Sequence, residues 1–291
     1  MKINHRKLLP YYIISIIMVS IAIVISIIIG ISRQHGSVTE EEPDTVEPET
    51  LFMNGEVPYY PNIPASSCST DLFVYNENGR MAYNDKNTYY STGIDVSSHQ
   101  CNIDWDAVAN DGIDFAILRV GYRGYGASGN ICIDDMFKTN AKNAIKAGLK
   151  IGVYFYSQAI TVEEAKEEAL FVIDAIKDFE IDCPVVFDWE NEPDIGMRTD
   201  NLSGDILTDC AVEFCDTVKD SGYTPAVYFN LTDAYQRYNL DKISDYVFWY
   251  AQHQGSSPLF YYQYSIWQYS DVGTVDGISG NVDLNICFSS F

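Results

Sequence analysis

The sequence predicts an α/β fold built on a mostly parallel sheet, and three observations predict it. From Gly93 onward, short apolar runs of strand length alternate with longer amphipathic segments, the order that builds βα units. The apolar runs are continuous, as in strands buried on both faces. After about residue 245 the helical segments fade and strands crowd together. A closed barrel and a doubly wound sheet both satisfy this pattern. No glycine-rich phosphate loop follows any strand, which counts against a nucleotide-binding sheet.

Each element has its own reason. Residues 1–33 hold Lys2, Arg6 and Lys7, then an uncharged run over residues 8–32. Twenty-five helical residues reach about 37 Å, enough to cross a bilayer. This stretch is expected to be an uncleaved anchor with the positive N-terminus inside and the rest outside. Residues 34–70 are acidic and proline-rich, a composition that extends a chain and buries no core, so they are expected to be a linker. Over residues 71–90, Leu72-Phe73-Val74-Tyr75 and Arg80-Met81-Ala82-Tyr83 flank an Asn78-Gly79 turn, the signature of a β-hairpin. Residues 91–291 are expected to be the working domain. Gly93-Ile94-Asp95-Val96-Ser97 ends a strand, 105–110 is a short helix, and 115–120 is a buried strand. A helix capped by Asp134 or Asp135 runs to Ala147 and stops at Gly148. Residues 150–156 form the next strand. Thr161-Val162-Glu163-Glu164 has the form of a capping box and opens a helix to about Phe179. A helix over 206–220 closes at Gly222, and strands follow near 226–229, 246–251 and 265–269.

The chemistry gathers at Pro184-Val185-Val186-Phe187-Asp188-Trp189-Glu190. Side chains alternate along a strand, so Asp188 and Glu190 point to one side, about 6–7 Å apart at Cα. Two acids side by side at the end of an apolar strand disfavour each other's ionisation. A glycosidase uses that conflict, keeping one acid protonated as a donor and one ionised to stabilise positive charge at the sugar. The tripeptide alone also fits a solvated strand end. In a barrel, catalytic groups collect at the C-terminal ends of strands, where Asp95, Asp188 and Glu190 all fall.

Composition narrows the partners. The chain of 291 residues has 18 basic and 41 acidic residues and a net charge of −23, which argues against a nucleic-acid partner. It carries 22 Tyr, 14 Phe and 4 Trp, suited to sugar faces or to core packing. Four histidines and seven cysteines lack zinc spacing, so no metal or other cofactor is expected. One or two disulfides are open from the count, without a readable pairing. Arg119, at the end of an apolar strand, is expected to pair with an acid, as a structural ion pair or by holding Glu190 or Asp95. Tyr154, Tyr156 and Tyr228 fall near strand ends, where sugar contact and core packing are both open. Trp249 and Trp267 are open to a sugar platform or to packing of the closing strands.

With these residues in hand, the stretch from Gly93 to Phe288 resembles glycoside hydrolase family 25, the Chalaropsis-type lysozymes or N-acetylmuramidases. The likeness rests on Gly93-Ile94-Asp95-Val96-Ser97-Ser98-His99-Gln100, Ile103-Asp104-Trp105, Phe115-Ala116-Ile117-Leu118-Arg119, and Ala147-Gly148-Leu149-Lys150-Ile151-Gly152-Val153-Tyr154. Asp188-Trp189-Glu190, Trp267-Gln268-Tyr269-Ser270 and Val282-Asp283-Leu284-Asn285 complete it. The resemblance implies an irregular TIM-like barrel, about (β/α)5 closed by extra strands. It implies Glu190 as general acid, Asp188 as stabiliser of the reacting carbon or orienter of the substrate N-acetyl group, and Asp95 and Asp283 as further acids that position substrate or water. Tyr154, Tyr156, Tyr228, Trp267, Gln268 and Arg119 are the candidate substrate contacts. The expected substrate is the peptidoglycan glycan strand, cut at the β-1,4 bond after N-acetylmuramic acid. The expected location is the cell membrane, held through residues 8–32 with the domain outside. A catalytically silent wall-binding protein on the same fold is the alternative.

Overall fold

The computed structural model describes residues 50–52, 56–191 and 196–291. The expected anchor over residues 8–32 and residues 34–49 and 53–55 of the expected linker lie outside the described residues; the rest of that linker does bury core, with Val57 and Ile63 packed into it. Among the described residues, no helix is long and apolar enough to cross a membrane.

A short antiparallel pair, β1 (Thr50–Phe52) with β2 (Glu56–Pro58), comes first, then the hairpin of β3 (Phe73–Tyr75) and β4 (Met81–Tyr83). Asn76 Oδ1 accepts from the backbone N–H of Asn78 and Arg80, and Gly79 takes φ +72°, which closes the turn.

The main sheet follows. Strands β5 (Ser91–Val96), β6 (Phe115–Arg123), β8 (Lys150–Tyr156), β9 (Val185–Asp188), β10 (Pro225–Asn230), β11 (Val247–Ala251) and β12 (Ile266–Gly273) pair in parallel, with β7 (Ile131–Ile133) added to the end of β6. The last strand, β13 (Val282–Cys287), runs antiparallel between β12 and β5, and the β5–β6 pairing completes a closed ring of eight. The barrel alternative is therefore the one adopted. Five strands, β5, β6, β8, β9 and β10, are each followed by helix before the next barrel strand, and β11, β12 and β13 close the ring, as the expected (β/α)5 barrel with extra strands requires.

Helices α1 (Trp105–Asn110), α2 (Phe137–Lys146), α3 (Val162–Ile176), α4 (Gly204–Asp220), α5 (Leu231–Gln236) and α6 (Leu240–Ile243) occupy the connections up to β11. Asp104, Thr161 and Ser203 cap α1, α3 and α4 by accepting from backbone N–H groups. The expected capping box is only half formed. Glu164 reaches back to Ile160 N at 2.9 Å, one residue upstream of the cap, and its other oxygen takes Arg198. Gly148 and Gly222, at φ +87° and +88°, end α2 and α4 in the left-handed conformation that a side chain would oppose.

No helix lies between β11 and β12 or between β12 and β13. That sector is covered by the hairpin and by residues 59–66. Phe73 stands edge-on to Trp267 at 5.1 Å between ring centres, to Tyr83 at 5.0 Å and to Phe288 at 5.9 Å. Tyr262 Oη accepts from Tyr60 N at 2.7 Å, and Ala65 bridges to Tyr262. Arg80 of the hairpin pairs with Asp111 just beyond α1. The hairpin is thus an outer layer of the barrel, packed in one unit with it.

Inside the ring, Phe115, Ile117, Val186, Ala226, Trp249 and Ile266 pack together. A Cβ on Gly93 would come within 2.2 Å of the Phe115 ring, so glycine there lets the ring plug the barrel. The seven cysteines are all unpaired, and four are buried.

Candidate active site

The C-terminal ends of the parallel strands open into a cleft of about 180 Å³, lined by Asp95, Tyr154, Asp188, Glu190, Tyr228, Trp249, His253, Gln268 and Asp283. A second groove of about 540 Å³ adjoins it, and Glu190, Tyr228 and His253 line both. Each wall follows from strand parity. Asp188 closes β9 beside Tyr228 of β10, and Tyr228 lies beside Trp249 of β11. Trp189, between the two acids, points the other way and is buried under the Arg237 guanidinium at 5.0 Å.

The carboxyls form two close sets. Asp283 and Asp95 are direct partners across the β13–β5 ladder and hydrogen-bond to each other. Asp95 is only 5% exposed, and its Oδ2 accepts from Asn285 Nδ2 at 2.7 Å and Gln268 Nε2 at 2.9 Å. Trp249 Nε1 fixes the Asn285 amide by donating to its Oδ1 at 2.8 Å. Burial pushes Asp95 up to about 6, while the two amide donors pull it down. Burial and then the Asp95 charge push Asp283 up to about 8, with His253 drawing it back. Two amide N–H donors on one oxygen favour the ionised form of Asp95, which leaves the shared proton to Asp283.

Asp188 is also only 5% exposed. Burial first, then the charges of Glu190 and Asp95, hold it well above the usual carboxylate range. Its Oδ1 is buried without a hydrogen-bond partner in the protein.

These shifts carry a sign for stability. Asp95, Asp188 and Asp283 all have folded-state pKa values above their unfolded ones. Each contributes stability that is complete below the unfolded value, near 4, and is lost as pH rises through the folded value. The window for Asp95 and Asp283 runs up to about 6 and about 8. The thermal midpoint should fall from pH 5 to pH 8, and Asp283→Asn should flatten that fall. A wild-type midpoint that stays level or rises over this range contradicts the assignment.

The family model of the glycosyl hydrolases family 25 matches residues 94–278. The chain belongs to that family. The autolytic lysozyme of Clostridium acetobutylicum is 30% identical over 193 residues, which is 66% of this chain and 54% of that protein. Lysozyme M1 of Streptomyces globisporus is 28% identical over 204 residues, 66% of each chain. Among solved structures, the modular autolysin LytC from Streptococcus pneumoniae, in complex with a synthetic peptidoglycan ligand, superposes with a TM-score of 0.63 at 25% identity. That match covers 74% of this chain and 51% of LytC. The chain spans about half the length of the clostridial lysozyme and of LytC.

Within this family 25 domain the structure brings together Asp95, Asp188, Glu190, Asp283, Tyr154, Tyr228 and Gln268. Three expected substrate contacts lie outside the cleft lining. Trp267 is fully buried on the outer face of β12, against Phe73 and Tyr269, because its neighbour Gln268 takes the inward position. Arg119 binds Asp134 at 2.9 and 2.8 Å and Ser98 Oγ at 3.1 Å, so its acid partner is neither Glu190 nor Asp95. Tyr156 packs edge-on against Tyr125 at 6.0 Å, beside Asp188 in the ladder. The sequence alone assigns no role to Asn285 or His253. Asn285 shares the inward parity of Asp283, a signal present in the sequence. His253 follows a strand end, where no periodicity points to it.

Proposed function

We propose that this chain is a muramidase. It hydrolyses the β-1,4 bonds between N-acetylmuramic acid and N-acetylglucosamine in peptidoglycan. The observation that carries the reading is the meeting of Asp188, Glu190, Asp95 and Asp283 in one cleft of a family 25 domain. The lysozyme names of relatives and the peptidoglycan ligand of LytC support the same substrate class. Tyr154, Tyr228 and Trp249 give it aromatic walls, with Tyr228 and Trp249 edge-on at 4.9 Å, suited to the C–H faces of sugar rings.

The reactive state has the proton of the Asp188–Glu190 pair on Glu190. Glu190, half-buried where cleft and groove meet, gives that proton to the leaving glycosidic oxygen. Asp188, then the anion, accepts the acetamido N–H of the muramic sugar. The acetamido carbonyl oxygen bonds to the anomeric carbon as the C–O bond breaks. Water then attacks that carbon, its proton returns to Glu190, and the acetamido group reforms with retained configuration. Asp95 and Asp283 orient the sugar or the water.

The domain is further proposed to sit outside the cell, tethered by residues 8–32, whose uncharged length suits a bilayer. An acidic enzyme held at its own membrane fits local opening of the wall. One experiment tests bond and tether together. Membranes from cells producing the chain should release fragments with new reducing N-acetylmuramic ends from purified wall, read by mass spectrometry. Removing residues 1–33 should move that activity to the soluble fraction. Fragments ending in N-acetylglucosamine would refute the bond assignment, and soluble activity from the intact chain would refute the tether.

A further inference from the structure

The residues lining the cleft and groove include four carboxyls and one basic side chain, His253. Its Nε2 lies 2.7 Å from Gln268 Oε1, and its Nδ1 lies 3.6 Å from Asp271 Oδ2. Gln268 has one donating and one accepting end. Its Nε2 end meets Asp95 Oδ2, which already accepts from Asn285. Its Oε1 end therefore faces His253 and also takes the Tyr228 hydroxyl at 2.9 Å. A carbonyl oxygen cannot donate, so the donor in the 2.7 Å contact is the ring. The hydrogen bonds run one way, from His253 through Gln268 to Asp95.

We propose that His253 is a positioning residue for this site: its Nε2–H locks the Gln268 amide in the orientation that gives Asp95 a second N–H donor. With a lone pair at Nε2, two acceptors would face each other and the amide would turn over. Gln268 Oε1 would then oppose the Asp95 carboxylate, leaving Asp95 with Asn285 as its amide donor. The proton shared with Asp283 would move toward Asp95, and the group that orients sugar or water would carry the wrong charge. The inference rests on the muramidase reading for the meaning of Asp95, but the hydrogen position does not.

The test has a spectroscopic and a kinetic arm. Long-range 15N–1H correlation of the histidine rings in the full chain, with His253 assigned by its loss in His253→Gln, should find Nε2 protonated at neutral pH. An unprotonated Nε2 overturns the proposal, whatever the enzyme assay shows. In the kinetic arm, His253→Leu should lower kcat on wall fragments by about 10-fold or more, with KM little changed. His253→Gln has an amide N–H that can replace the donor and should recover most of that loss. Equal loss in both variants, or none in either, would overturn the positioning role. Should Glu190→Gln prove fully active, the muramidase reading fails, and the 15N result still decides where the hydrogen sits.

Discussion

Glu190→Gln is expected to slow release of wall fragments by about 10²–10⁴-fold, the usual contribution of a positioned general acid, while the domain keeps its thermal midpoint. Glutamine keeps the size and one acceptor of the side chain but has no proton of the right acidity to give. Glu190 is half-buried and lines both the cleft and the groove, so a glycan spanning the two would pass beside it. Asp188 does not replace it, because in the reactive state Asp188 is the anion of the pair and has no proton to give, and it is only 5% exposed. The fragment assay should be run beside circular dichroism of the same sample. A folded variant releasing fragments at the wild-type rate would remove Glu190 from the acid role.

Phe73→Ala should lower stability by about 3–5 kcal/mol, the range for deleting a buried Phe. In a domain of this size that is a fall in the midpoint on the order of 10 °C. The ring is 7% exposed and touches Trp267, Tyr83 and Phe288, none of which lines the cleft. Its loss would hollow out the cover of the helix-free sector and let water reach Trp267. Tryptophan fluorescence should shift to the red on heating earlier than in the wild type, with kcat at low temperature nearly unchanged. An unaltered midpoint would show the hairpin to be a passive appendage.

These two residues also mark what could be read in the sequence. The barrel strands were visible because each is a short apolar run and the helices between them carry caps and stops. The acids were visible because they end those runs. What failed to show was which closing residues face inward. Trp267 and Gln268 are adjacent, and an aromatic next to a polar residue fits either orientation until the register is fixed against β11 and β13. Arg119 was foreseen as paired, but its partner Asp134 comes from the start of the next connection, a tertiary fact. The hairpin was legible as a hairpin. Its duty as a substitute for missing helices was not, because nothing local tells it what it will cover.

Closure of the ring has a consequence for synthesis. Asp95 on β5 leaves the ribosome first, and Asp283 follows almost two hundred residues later on β13. Until the later strand arrives, one edge of the earlier one stays open and the two acids cannot meet. The four acids of the cleft are therefore not assembled before β13 is made, and the pairing that brings Asp283 to Asp95 is of the long-range kind that slows folding.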